Sequence, residues 1–374
     1  MSENEERRAE VGAKLARLRE RMAHNKLRTA VLEQNASIAW LTAGATDAIN
    51  QGSDVGLSSL VITEDHAYVV TDRVEAPRLE QEEHLPERGL TLVVEPWERR
   101  GGELARLTTG PQEQIGSDTA HSGAGWRDLS EDLSELRSTL LPAEMTRLRH
   151  VARMTAEALQ TVAGIAAPGM TEYELAARLD AECRRHGGWA IVNLVASDER
   201  IAAYRHPLPT GKRVQQYIML VLCCRWQGLI AAATRLVHYG SLPEELAEKA
   251  HAVARVDATL IHATHAGRTL GAQWELAREA YMQAGYPDAV YEHHQGGSIA
   301  YLPRERLATP NDPRTIATHQ AFAWNPSLRG VKSEDTILLT EDGPQIITAT
   351  HDWPTWEITL DDGTTVVRPA ILVS

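Results

Sequence analysis

Two kinds of apolar spacing divide this 374-residue chain near residue 141. Ahead of that point the apolar residues fall in short runs rich in β-branched side chains: TAVLE at 29–33, SLVIT at 59–63, AYVVT at 67–71 and LTLVVE at 90–95. Runs of this length with turn residues close by read as strands. Past that point the apolar residues recur at helical spacing over 143–166, until Pro168-Gly169-Met170 breaks the pattern. The two patterns predict an α/β domain over 1–141. An α+β domain over 142–374 follows, its long helices backing an antiparallel sheet.

Local signals fill in both halves. Val11, Leu15, Leu18 and Met22 predict an amphipathic helix over 4–24. The Gly-, Ser- and Thr-rich stretch 110–128 reads as loop. Thr171 and Glu174 form a T-x-x-E capping box, which starts a helix running to about His186. Strands are expected at 190–196 and 217–224. A second capping box, Ser241 with Glu244, starts a helix to about His262, and another helix covers 272–284. The last hundred residues read mostly as strands, with a hairpin at Asp361-Asp362-Gly363.

Charge and cysteine usage narrow the function. A formal net charge of −13 argues against general affinity for nucleic acid or an anionic membrane. No apolar run reaches the roughly 18 residues a spanning helix needs. The charged start MSENEERRAE has no apolar signal core, so a cytoplasmic location is expected. Cys183, Cys223 and Cys224 form no disulfide framework or zinc pattern, and read as buried reduced thiols.

Several ordered segments resemble the creatinase/aminopeptidase P family (M24, the pita-bread fold). They are SIAWLTAGA at 37–45, the helix pair at 140–179, LVASDERIAAYRHPLPTGKRV at 194–214 and GVKSEDTILLTEDG at 330–343. The resemblance spans nearly the whole chain. It implies a creatinase-like N-terminal domain and a pita-bread C-terminal domain, with a homodimer as the common assembly. Metallopeptidases of that family resemble one another in holding two divalent ions with two aspartates, a histidine and two glutamates. Carried over position by position, the aspartates fall on Val221 and Ala232, the histidine on Gly297 and the first glutamate on Asn325. Only Glu334 matches. Val, Ala and Gly side chains offer no donor atom, so no bound metal or other cofactor is expected.

Creatinase is a metal-free branch of the same family. There the histidine matching His206 acts as acid and base on a C–N bond, which suits an imidazole. Glu334 is expected to bind a cationic or donor group or to assist as a base. Thr234 stands where creatinase has a substrate-binding glutamate, which argues against creatine itself. Arg205 and Arg235 either pair with a substrate carboxylate or, for Arg235, form a buried ion pair with Asp335. In His293-His294-Gln295-Gly296-Gly297, alternation along a strand sends the histidines to opposite faces. His294 is then a second acid/base or a substrate donor, or else a solvated or core histidine. Glu305 either orients a histidine or lies on the surface. Trp324 and Asn325 either recognise a neutral polar group or are a core Trp beside a turn.

Three functions stay open. One is a metal-independent hydrolase, or related acid/base enzyme, acting on a C–N bond of a small amino-acid-like molecule. The second is a non-catalytic module binding a peptide or protein. The third is an Xaa-Pro-type metallopeptidase with ligands relocated to His206, His293, His294 and Glu334.

Overall fold

The computed structural model describes residues 2–119 and 125–374. The chain divides into two compact units, Met1–Arg137 and Ser138–Ser374.

The first unit begins with α1 (Glu3–His24). The Ser2 hydroxyl accepts from the Glu5 amide, and the Glu5 carboxylate accepts from the Ser2 amide, at 3.3 and 2.7 Å. This reciprocal cap satisfies two backbone donors that the first turn leaves free. Val11, Leu15, Leu18 and Met22 are buried, as their spacing requires. The sheet takes β1 (Thr29–Gln34), β2 (Val55–Thr63), β3 (Ala67–Asp72), β4 (Thr91–Glu95), β5 (Ile115–Ser117) and β6 (Arg127–Asp128), in the order β4-β3-β2-β1-β5-β6. Helices α2 (Asn35–Leu41), α3 (Ala76–Gln81), α4 (Gly102–Leu107) and α5 (Ser130–Ser138) complete the succession of elements. The expectation of loop over 110–128 is corrected at β5, which runs parallel to β1, and at β6, which runs parallel to β5. At three residues β5 is too short to show a period. The expected loop also takes in 120–124, which lie outside the described residues.

The second unit opens with α6 (Pro142–Ile165) and α7 (Glu172–Arg185), the latter capped by Thr171 and Glu174. They pack on β7 (Trp189–Ser197), β8 (Tyr217–Trp226) and β9 (Leu229–His238). The short α8 (Glu199–Ala203) follows β7. All ten residues of β9 are buried. Its alanine-rich run carries little strand preference, and no strand is expected there from the residues alone. Helices α9 (Glu244–His262) and α10 (Leu270–Gln283) pack together. Ser241 does not cap α9. Its N-cap is Pro243, which offers no side-chain acceptor.

After the short α11 (Ala289–Glu292) comes a second sheet of β10 (Gly296–Ser298), β11 (Arg306–Leu307), β12 (Ala321–Trp324), and two longer strands. Between them lies the small ladder of β13 (Ser327–Leu328) and β14 (Val331–Lys332). The longer strands are β15 (Asp335–Thr340) and β16 (Gly343–Ile346), giving the order β11-β10-β12-β15-β16. The hairpin expected at 361–363 joins β17 (Thr355–Thr359) to β18 (Thr365–Pro369). The chain then adds β19 (Leu372–Val373) beside β9.

The two sheets meet along β9. Its Ala232 amide donates to Thr336 Oγ1 at 2.8 Å, and its Thr234 amide to the Glu334 carbonyl at 3.0 Å. A buried ion network locks this junction: Arg235 to Asp335 at 2.9 Å, then Arg368 to Asp335 at 2.8 Å and to Asp257 at 2.6 Å. The three cysteines are buried and free, and burial pushes the Cys223 thiol up to about 12, as expected of inert thiols. Among the described residues, no helix is long and apolar enough to cross a membrane.

Candidate functional site

The loop carrying His206 is anchored from below. The buried Glu172 carboxylate accepts from the Ser197 amide at 2.8 Å and from the Thr210 amide at 2.9 Å, and it pairs with Arg200. Arg200 in turn donates to the Leu208 carbonyl at 2.9 Å. This ties the chain on both sides of His206. Sequence reading passed over Glu172, because a carboxylate in the first turn of a helix needs no other explanation.

His293 and His294 do not lie on a strand. They sit between α11 and β10, and their rings stack with centroids 4.3 Å apart. The expectation that they face opposite ways is therefore corrected, since strand alternation does not apply in this connection. Buried Gln295 holds the turn. Its amide donates to the His293 and Val290 carbonyls at 2.5 and 3.2 Å, and its oxygen accepts from the Tyr281 hydroxyl at 3.0 Å. The result is a three-histidine cluster. Nε2 of His206 and of His293 are 2.9 Å apart, and one nitrogen from each of His206, His293 and His294 lies within 4.8 Å of the others. Arg205 pairs with Glu292, which holds the His206 loop against α11. Arg205 thus positions the loop and is not a free substrate ligand.

Glu334 is buried, and both of its oxygens accept from protein donors. Arg304 Nη2 donates to Oε1 at 2.9 Å, while Lys332 Nζ and the Thr234 hydroxyl each donate to Oε2 at 2.9 Å. Burial alone would raise its carboxyl, but Lys332 and Arg304 outweigh that and hold it down at about 2. This corrects the assignment of Glu334 as a base, because so weak a base takes up no proton near neutrality; the cationic groups it binds are the protein's own Arg304 and Lys332. Thr234 likewise serves Glu334. Arg304 and Lys332 were missed in the sequence. One counted only as the neighbour of Glu305, and the other sits two residues before Glu334.

Electrostatics keep the histidines neutral. Burial pushes His293 down to about 3, helped by His294 and Lys332. Burial, Arg304 and Lys332 push His294 down to about 4. Desolvation and Lys332 lower His206 from the ordinary imidazole value, partly offset by Glu334.

The other expected site residues separate from this centre. Arg235 is spent on Asp335 and on the Thr348 carbonyl, so the buried ion pair is the observed arrangement and substrate pairing is not. Trp324 is core, stacked on Phe322 with its indole N–H on Thr264 at 2.9 Å. Glu305 is buried, not on the surface, and accepts from the Tyr301 and Leu302 amides, which makes it a turn residue. Asn325 is buried beside the histidine turn, its amide donating to the Gln295 carbonyl, and its Oδ1 has no partner among the described residues. Val221 and Ala232 are buried in β8 and β9, with Thr234 and Cys223 as their cross-strand partners. A Cβ on Gly297 would stand 1.9 Å from the Arg306 carbonyl oxygen.

Residues 146–341 match the sequence profile of metallopeptidase family M24. This chain belongs to that family. A relative, an uncharacterized peptidase of Staphylococcus haemolyticus, is 24% identical over 59% of this chain and 65% of its own length. The match thus spans just under two thirds of that protein. The fold is that of M24 enzymes. The prolidase of Pyrococcus horikoshii OT3 superimposes with a TM-score of 0.77 at 18% identity, covering 91% of this chain and 99% of the other. The Xaa-Pro dipeptidase of Bacillus anthracis gives 0.75 at 18% identity, covering 97% and 100%. The pita-bread expectation for the second unit is met.

Proposed function

We propose that this M24 member is a hydrolase of a C–N bond in a small, amino-acid-like molecule, and that it works without the family's metal pair. One observation carries the reading: both oxygens of Glu334 are already occupied by protein cations, Arg304 and Lys332. Two divalent ions need a set of carboxylate and imidazole donors. Val221, Ala232 and Gly297 supply none, Asn325 supplies an uncharged amide, and Glu334 is spent. These residues do not fit a metal pair.

His206 is the acid/base in this reading. As a neutral imidazole it removes a proton from water attacking the carbon, then returns that proton to the leaving nitrogen. His293, in hydrogen-bond reach, holds the tautomer of His206 or passes the proton on. Arg304 and Lys332 with Glu334 leave one net positive charge, which suits a substrate carboxylate or the oxygen that gains charge in the transition state. Arg304 Nε, Asn325 Oδ1 and His293 Nδ1 are buried without a partner among the described residues. A bound polar molecule would satisfy such groups. The names of the structural relatives make Xaa-Pro dipeptides the first substrates to try, with N-substituted amino acids and amidines beside them. A homodimer is proposed as the working assembly, to be checked by light scattering.

The test is a substrate panel assayed in a chelator-containing buffer. Hydrolysis that persists with chelator and disappears in His206→Ala supports the reading. Hydrolysis that appears only when manganese, cobalt or zinc is added sinks it.

A further inference from the structure

The three-histidine cluster has a property that acid/base chemistry does not require. It gathers three imidazole nitrogens from two separate segments into a volume 4.8 Å across. We infer that His206, His293 and His294 form a binding site for a single transition-metal ion of the zinc or nickel class, distinct from the metal pair of the family.

The geometry needs only a small adjustment. Zinc bonds nitrogen at about 2.0–2.1 Å, so two imidazoles at tetrahedral angles stand roughly 3.3 Å apart. The His206–His293 contact at 2.9 Å opens slightly to admit the ion, which takes the place of the proton the two rings share. His294 is the farther ring, its centroid 6.2 Å from that of His206. The closing movement falls to His206, which is exposed on its loop, whereas the His293 carbonyl is held by the Gln295 side-chain amide. The hydrogen bond from the Gly296 amide to His294 Nδ1, at 3.3 Å, is long and weakly held.

The chemistry of the donors selects the ion. Imidazole suits zinc, nickel and copper, whereas magnesium and calcium demand oxygen ligands. Among the described residues no carboxylate joins the three rings, and Glu334 is bonded to Arg304 and Lys332. Those two cations disfavour a divalent ion and set the affinity below that of a structural zinc site. Three protein ligands leave one position open for water or an anion, as in catalytic zinc sites.

Binding itself does not depend on the proposed function, but its consequence does. An ion on Nε2 of His206 puts the ring's single proton on Nδ1, so neither nitrogen is left to accept a proton. The ion is therefore an inhibitor, bound reversibly at the residues that do the work.

Equilibrium dialysis of the full chain, stripped with chelator, against zinc and separately nickel tests this. The expected result is saturable binding of one ion per chain, weakened ten-fold or more in His294→Ala and in His206→Ala, with magnesium and calcium not bound. His206→Ala changes an exposed ring, so its circular dichroism should match the parent even if His294→Ala folds poorly. No saturable binding, or equal affinity in His206→Ala, overturns the proposal. Zinc that binds as expected but activates hydrolysis would leave this site standing and overturn the metal-independent reading instead.

Discussion

Nε2 of His206 and Nε2 of His293 lie 2.9 Å apart, so one ring must present a proton and the other a lone pair. Neither ring is charged near neutrality, because both are shifted below the ordinary imidazole value. A neutral pair bridged in this way can accept a proton at one end and release it at the other.

Removing one ring tests the bridge. His206→Ala is expected to lower kcat about 100-fold or more on any substrate found, since a positioned acid/base is worth that much. Stability should change by less than about 0.5 kcal/mol, because the ring is exposed. His293→Ala should lower kcat less and alter the pH profile of what remains. Steady-state kinetics and urea unfolding read both.

Titration of the histidine ring protons by NMR gives a second check. A group shifted down stays neutral until the pH falls below its new value. His206 should therefore titrate below pH 6.5, with His294 near 4 and His293 near 3. An acid limb of activity should follow His206 and also lie below pH 6.5. A His293 or His294 midpoint above 6 would mean that the rings are better solvated than the structure has them.

Glu334 links the site to stability. Its folded value, about 2, is below the ordinary 4.5, so the ionised form stabilises the fold. That contribution is fully present above pH 4.5 and is lost as the pH falls toward 2. Glu334→Gln should cost about 3 kcal/mol at pH 7, both from this linkage and from leaving Arg304 and Lys332 uncompensated. The gap between parent and variant in urea unfolding should narrow between pH 5 and 3. A gap that is constant with pH contradicts the assignment.

Arg235→Ala separates structure from binding. It leaves Asp335 short of a partner in the junction of the two sheets, so about 3–5 kcal/mol of stability should go. A substrate-binding arginine would instead raise KM and leave the unfolding midpoint in place.

Gly297→Ala should destabilise by more than about 2 kcal/mol, because the new methyl meets a backbone oxygen that has nowhere to move. An unchanged thermal midpoint would show that β11 shifts to make room.

The long helices were legible because Leu148, Val151, Leu159 and Val162 repeat at helical spacing, and because Thr171 with Glu174 marks a start. Ser241 with Glu244 carries the same signature and misleads, since the chain enters α9 through Pro243. β9 was hidden by its alanines and β5 by its length. Within the site, His206, His293, His294 and Glu334 could all be named in advance. Their arrangement could not, because it depends on a turn in which Gln295 is held by Tyr281, on α10. Lys332 gave a usable signal, since two residues before Glu334 in an extended segment puts it on the same side. Arg304 gave none, because it reaches Glu334 only through the meeting of strands thirty residues apart.

Arg304 and Lys332 are part of the chain and arrive with it. Whatever ions the surroundings hold or lack, Glu334 meets its counter-charges as soon as the second unit folds. Its charge balance is thus inherited with the gene and owes nothing to uptake, delivery or competition among dissolved ions.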